Sequence, residues 1–172
     1  MPIQGKFLVN NRPLAPLAMF GVGAFMAFSG NDIYRNRGGC TALANDGPIP
    51  AGKYWIVDRP TGGLHSQAQA WVRDTINSVL GTPSHRDEWF ALYRDDGKID
   101  DYTWINGVQR GQFRLHPVGG RGISPGCITL ASHADFQTIR RALLHTTVIP
   151  AGNSGLKAFG WIEVITYGNT CP

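Results

Sequence analysis

Short apolar stretches separated by turn residues, rather than long stretches of helical period, dominate this chain. Lys6 to Val9 reads as a strand, turned by Asn10-Asn11-Arg12-Pro13, and a second strand region lies between Leu14 and Phe28. After a polar, Gly-rich loop over 29–47, the turn residues Asn45-Asp46-Gly47-Pro48 and Pro50-Ala51-Gly52 lead into Lys53 to Val57. The β-branched and aromatic content of that segment suits a strand. Ser66 to Leu80 places Ala68, Trp71, Val72, Thr75 and Val79 near one face and predicts a helix stopped by Gly81. Trp89 to Tyr93 is the next predicted strand, with Asp95-Asp96-Gly97 as its hairpin turn. Tyr102 to Ile105, Gln112 to Leu115 and Ile128 to Leu130 follow. Ser132 then caps the clearest helix, with Asp135 completing a capping-box pattern and Phe136, Ile139, Leu143 and Leu144 forming its apolar stripe. Phe159 to Tyr167 alternates as a closing strand. Strands with two helices predict a mainly β or α+β fold.

Composition agrees with that reading. The chain has 172 residues, enough for one domain with a real core, and carries 22 glycines and 11 prolines. The formal charge of +4 would suit an anionic partner, but Lys and Arg are scattered singly. A nucleic-acid footprint needs clustering, so no nucleic-acid partner is expected. The apolar stretch from Pro13 to Phe28 is broken by Pro16, Gly21 and Gly23 and is too short to span a bilayer. It reads as two short buried strands or a bent one, not as a cleaved signal or a membrane span.

Cys40, Cys127 and Cys171 are too few for a disulfide scaffold and lack the spacing of a zinc site. One bridge and one reactive thiol would account for the odd number, with Cys40 and Cys171 tying down the tail. Three reduced thiols fit the count equally well.

The informative chemistry lies in Phe113-Arg114-Leu115-His116-Pro117, a Gly-rich loop, and Ile123-Ser124-Pro125-Gly126-Cys127-Ile128-Thr129-Leu130. A thiol nucleophile needs a base, amide N–H groups aimed at the developing oxyanion, and room for substrate. His116 ends one predicted strand and Cys127 begins another, so the intervening glycines can bring imidazole and thiol together. Gly126 removes bulk beside the sulfur, and Pro125 has no N–H, leaving Gly126 and Cys127 as local donors. Ser124 can bond across the turn or to substrate. The competing reading is a buried, inert Cys127 and a loop His116. Arg114, Arg121 or Arg110 could face substrate carboxylates, and Trp104 is a candidate glycan contact, although each also suits a surface position. The acidic run Asp95, Asp96, Asp100 and Asp101 lacks a calcium-loop pattern and reads as a solvated hairpin.

The Ser-x-Gly-Cys segment with its upstream histidine resembles the signature of L,D-transpeptidases, the cysteine enzymes that remodel peptidoglycan. Phe28-Ser29-Gly30, Gly47-Pro48-Ile49-Pro50-Ala51-Gly52 and Asp58-Arg59-Pro60-x-Gly-Gly, with the short gap from His116 to the cysteine turn, are similar to type VI secretion L,D-transpeptidase effectors. The resemblance runs from about residue 20 to residue 145. It implies a single L,D-transpeptidase-like β-sandwich catalytic domain over 1–172, with about two helices and no cofactor. It further implies attack by Cys127 on peptidoglycan tetrapeptide stems, with His116 as base, giving carboxypeptidase or D-amino acid exchange activity. Export by type VI secretion machinery without a signal peptide, action in the periplasm of target bacteria and a cognate immunity protein are also implied. Pro125 and Thr129 stand where typical L,D-transpeptidases carry His and often Arg. The alternatives are another envelope cysteine amidase, in which Cys normally precedes His, and a non-catalytic wall-binding module.

Overall fold

A computed structural model describes residues 2–58, 88–119 and 126–172. Eleven strands and one helix are present among them: β1 (Ile3–Val9), β2 (Ala15–Met19), β3 (Gly23–Phe28), β4 (Gly52–Asp58), β5 (Phe90–Arg94), β6 (Tyr102–Ile105), β7 (Val108–Gly111), β8 (Arg114–Pro117), β9 (Ile128–Leu130), α1 (His133–Leu144), β10 (Ile149–Pro150) and β11 (Lys157–Thr166). Nine strands form one sheet in the order β1-β2-β3-β9-β8-β5-β4-β11-β10, and β6 and β7 form a separate ribbon. The sheet also pairs β1 with β11 in parallel, Phe7 opposite Val164, which closes it into a barrel. The expected sandwich is therefore corrected to a barrel-like sheet. Two sheets packed face to face would leave β1 and β11 as edges, whereas their pairing removes both.

Alternation along the staves fills the barrel. Phe7, Val9, Leu17, Met19, Tyr54, Ile56, Leu92, Leu115, Ile128, Leu130 and Ile162 are buried in one cluster. Closure requires the backbones of β1 and β11 to come close at one point. A Cβ at Gly160 would stand 1.8 Å from the Ile3 carbonyl oxygen, so only glycine fits there. Helix α1 starts where Ser132 accepts the Asp135 N–H (3.3 Å), and it adds Phe136, Ile139 and Leu143 to the core, while Leu144 stays exposed. A second cluster of Trp55, Val57, Ala91, Tyr93, Ala151 and Ala158 covers the outer face of β4, β5 and β11. The helix expected over 66–80 lies outside the described residues.

One local expectation fails. Asp95-Asp96-Gly97 does not close a hairpin, because β5 pairs with β4 and β8 while β6 pairs with β7. Its carboxylates are not simply solvated either. Asp95 accepts the Trp55 indole N–H (3.2 Å), Asp96 accepts the Thr103 hydroxyl, and Asp101 pairs with Arg114. The acidic loop thus brackets the outer face.

Cys40 and Cys171 are joined in a disulfide, Cα–Cα 5.1 Å, across 131 residues of chain. Gly38 and Gly39 let the tail pass, since added Cβ atoms would meet the Gly168 and Asn169 carbonyl oxygens at 2.4 and 2.2 Å. A link over so long a loop restricts the unfolded chain strongly. Cys171→Ser should therefore lower unfolding free energy by about 3–5 kcal/mol in urea titrations. Alkylation and intact mass should find one reactive thiol before reduction and three after it.

Candidate active site

The block Gly47-Pro48-Ile49-Pro50-Ala51-Gly52 runs between helical turns and β4 with little backbone pairing, so side chains serve its polar groups. Arg110, on β7 and only 3 % exposed, donates to the carbonyls of Thr41 (2.5 Å), Pro48 (3.1 Å) and Gly47 (2.9 Å). The Tyr54 hydroxyl donates to the Pro50 carbonyl (2.8 Å), and Arg94 donates to that of Ala51 (2.8 and 3.1 Å). The Ile49 N–H donates to Ser29 Oγ (2.8 Å), the serine of Phe28-Ser29-Gly30. The proline-glycine block is thus held by side chains from several staves.

Arg110 also underlies the cysteine turn. Gly126 has φ +89°, and a Cβ there would lie 2.5 Å from Arg110 Nη2 and 2.8 Å from Phe113 Cε1. Left-handed backbone and missing space both demand glycine. Cys127 follows immediately and leads into β9, which runs parallel to β8 with Leu115 opposite Ile128 and His116 opposite Thr129. Leu115, Ile128 and Leu130 point into the core, so period-two alternation sends Arg114, His116, Cys127 and Thr129 to the outer face together.

On that face His116 is clamped on three sides. Its Nδ1 lies 2.7 Å from the Pro117 carbonyl oxygen, which assigns the proton to Nδ1. That tautomer leaves the Nε2 lone pair as the basic site, 3.4 Å from Thr129 Oγ1. The Trp89 ring stacks on the imidazole at 4.3 Å between centroids and 21° between planes. Cys127, 5 % exposed, retains its thiol, which points to the Gln112 carbonyl oxygen at 3.9 Å. Burial pushes this thiol up to about 11, against the Arg114 N–H bonded to the sulfur and the Arg114 charge, which favour thiolate. The charge of Asp101 adds to the rise and that of Arg110 opposes it. The thiol therefore rests protonated, on the same face as the imidazole, an arrangement suited to base-assisted nucleophilic attack.

The other sequence candidates are placed as follows. Arg114 forms a two-pronged ion pair with Asp101 (2.7 and 2.9 Å). Burial lowers its proton affinity, but the hydrogen bonds and charge of Asp101 more than offset this, raising its pKa overall. Trp104 is 63 % exposed on the β6–β7 ribbon, away from the core. Ser124, Arg121 and Pro125 lie outside the described residues. Thr129, noted in the sequence only as a departure from typical L,D-transpeptidases, and Trp89, read there only as the start of a strand, both prove to touch His116. Thr129 was legible by parity, two positions after Cys127, but the Trp89 stack depends on pairing across distant strands.

Two outcomes are expected. The rate of Cys127 alkylation should keep rising with pH through 9 and beyond, since thiolate forms only near the pKa of about 11; a plateau below neutrality would mean a preformed ion pair. Arg110→Met should cost about 3 kcal/mol or more in unfolding free energy, because each charge-assisted hydrogen bond is worth about 1.5–3 kcal/mol. A variant as stable as the parent would contradict the bracing role.

Comparison with curated proteins finds no match. A family model does match: the Tlde1 domain, over residues 23–152, which takes in the proline-glycine block, His116 and Cys127. The match leaves out β1, β2 and β11, strands that the structure shows as barrel staves. With most of its length matched, the chain belongs to the Tlde1-domain family of type VI secretion effectors, whose activity is L,D-transpeptidase-like.

Proposed function

We propose that this chain is a cysteine-dependent L,D-carboxypeptidase and L,D-transpeptidase that acts on peptidoglycan tetrapeptide stems in the periplasm of target bacteria. The observation that carries the reading is the pairing of β8 with β9, which puts the His116 imidazole and the Cys127 thiol on one outer face, with Nδ1 of His116 turned to the Pro117 carbonyl. In the first step Nε2 of His116 takes the thiol proton as sulfur attacks the carbonyl of the third stem residue. The N–H groups of Gly126 and Cys127 stabilise the tetrahedral oxyanion. The intermediate collapses, the C–N bond to the terminal D-Ala breaks, and imidazolium returns its proton to the leaving amine. The resulting thioester passes its acyl group to water, giving a tripeptide, or to the amine of a free D-amino acid, giving exchange. Thiol is restored in both cases.

The electrostatics explain the division of labour. A thiol with a pKa of about 11 supplies almost no thiolate at neutral pH, so the base must act during attack. Pro117 and Trp89 hold the imidazole in the required tautomer and plane, while Thr129 can donate its hydroxyl proton to Nε2 or, after transfer, accept one from it. Arg114 is neutralised by Asp101, so its role is to set the charge beside the sulfur and its N–H to steady it. From the sequence alone, Ser124 is proposed to contact substrate and Arg121 to offer positive charge to its carboxylates. A toxin with this chemistry obliges its producer to make an immunity protein that covers the Cys127 face, and the type VI machinery delivers it.

Purified protein under mild reductant should convert tetrapeptide muropeptides to tripeptides, or to products with an exchanged terminal D-residue, as read by mass spectrometry. Cys127→Ala and His116→Ala should each lower turnover by about 10³-fold or more, as expected for members of one nucleophile–base unit. Thr129→Val, which keeps the shape, should cost about tenfold or less, the scale of one weak hydrogen bond. Unchanged muropeptides with the parent protein would sink the reading. Undiminished turnover in Cys127→Ala would move the nucleophile elsewhere.

A further inference from the structure

Arg35 lies on the same face as Cys127 and His116, although no strand carries it. Ala27 of β3 belongs to the core and Phe28 does not, so Phe28 points outward, level with Thr129 of β9 and, one strand further, His116 of β8. Because β3 and β9 are antiparallel, β3 ends at Phe28 beside the start of β9, which follows Cys127. The chain then loops back on itself. Asn36, buried and left-handed (φ +56°), donates its N–H to the Ser29 carbonyl (2.8 Å), and its Oδ1 accepts the Ser29 N–H (2.9 Å). That double clamp lays the neighbouring Arg35 over Phe28, with the guanidinium carbon 3.8 Å from the ring centroid. A guanidinium stacked by its face directs its N–H donors outward in its own plane, as the fork that grips a carboxylate. Arg35 is half-buried and also lines an open groove of about 300 Å³ with Arg12, Arg37 and Asp32, a rim of net positive charge that attracts anions.

We propose that Arg35 binds the free C-terminal carboxylate of the stem, and so selects both the leaving D-residue and the D-amino acid that replaces it. The inference rests on the reading of Cys127 and His116 as the reactive pair. Two other guanidiniums near the sulfur are turned elsewhere, Arg110 to backbone carbonyls and Arg114 to Asp101. Spacing supports Arg35. Phe28 stands one strand across from Thr129, which is two residues beyond Cys127. At about 3.3 Å per residue and about 4.8 Å per strand, that offset is about 8 Å. The terminal carboxylate lies one residue past the scissile carbonyl, under about 4 Å away. Sulfur attacks that carbonyl from about 3–3.5 Å. A stem with its third carbonyl at Cys127 therefore spans the gap to the guanidinium over Phe28. In exchange, the incoming D-amino acid brings its amine to the place the leaving amine held, and its carboxylate meets the same guanidinium. An amine with no neighbouring carboxylate gains no such contact, so one residue sets the preference on both sides of the thioester.

Two substrates test this, a tetrapeptide with a free terminal D-Ala and the same peptide ending in D-Ala amide. The parent should favour the free acid by about tenfold or more in kcat/KM, since the amide leaves the guanidinium without its anion. In Arg35→Gln that preference should fall to about twofold or less, mainly through a higher KM for the acid. Arg35→Lys, which keeps the charge, should restore part of it. A change that merely loosened the loop would slow both substrates alike and keep their ratio. In the Cys127→Ala background, Arg35→Gln should weaken calorimetric binding of the acid by about tenfold or more and leave that of the amide unchanged. No preference in the parent, or an equal preference in the parent and Arg35→Gln, overturns the assignment. If the parent turns over neither substrate, the enzymatic reading fails and calorimetry still decides. Acid and amide bound alike, or neither bound, then overturns the role of Arg35.

Discussion

A buried guanidinium organises this molecule around its reactive turn. Arg110 gives hydrogen bonds to Thr41, Gly47 and Pro48 and fills the space beside Gly126, so a single cation ties the proline-glycine block to the residue before Cys127, the proposed nucleophile. Its counter-charges are carbonyl dipoles, and it lies near enough to Cys127 to favour thiolate. The same loop region bears Cys40, whose disulfide holds the C-terminal tail after β11. The stave that closes the barrel, the loop that carries the family's proline-glycine signature and the cysteine turn are thereby mechanically linked. The matched family region contains the chemistry, but β1, β2 and β11 complete the sheet on which it stands.

The proposed reactive pair, Cys127 and His116, is governed by two opposing requirements. Sulfur must be shielded to attack a peptide carbonyl rather than react at random, and burial achieves that by keeping it protonated. Attack then needs a base of fixed tautomer, which the Pro117 carbonyl and the Trp89 stack provide. Parallel pairing of β8 and β9 sets thiol and imidazole on one face without any long-range loop having to position them.

Much of this was legible in the residues. Apolar, β-branched and alternating positions located β4, β9 and β11 within two residues at each end, and β1 except for its first three residues. Cys127 and His116 stood out as candidates because glycine, proline and apolar strand residues flank them in the order such chemistry needs. What stayed hidden is non-local. Barrel closure depends on Phe7 meeting Val164, and neither stretch names its partner. Asp95-Asp96-Gly97 carries hairpin chemistry, yet the neighbours of β5 come from elsewhere in the chain. Arg110 reads in sequence as one more cation for a substrate, since nothing local shows that backbone carbonyls occupy it.

The central claim is that Cys127 carries the acyl group between cleavage and transfer. It is tested most directly by quenching the protein in acid during turnover of a tetrapeptide and locating the adduct by peptide mass spectrometry. The account predicts a tripeptide acyl group, labile to hydroxylamine, on the peptide containing Cys127. Product formation with no such adduct under conditions that trap thioesters, or an adduct on another residue, would contradict it.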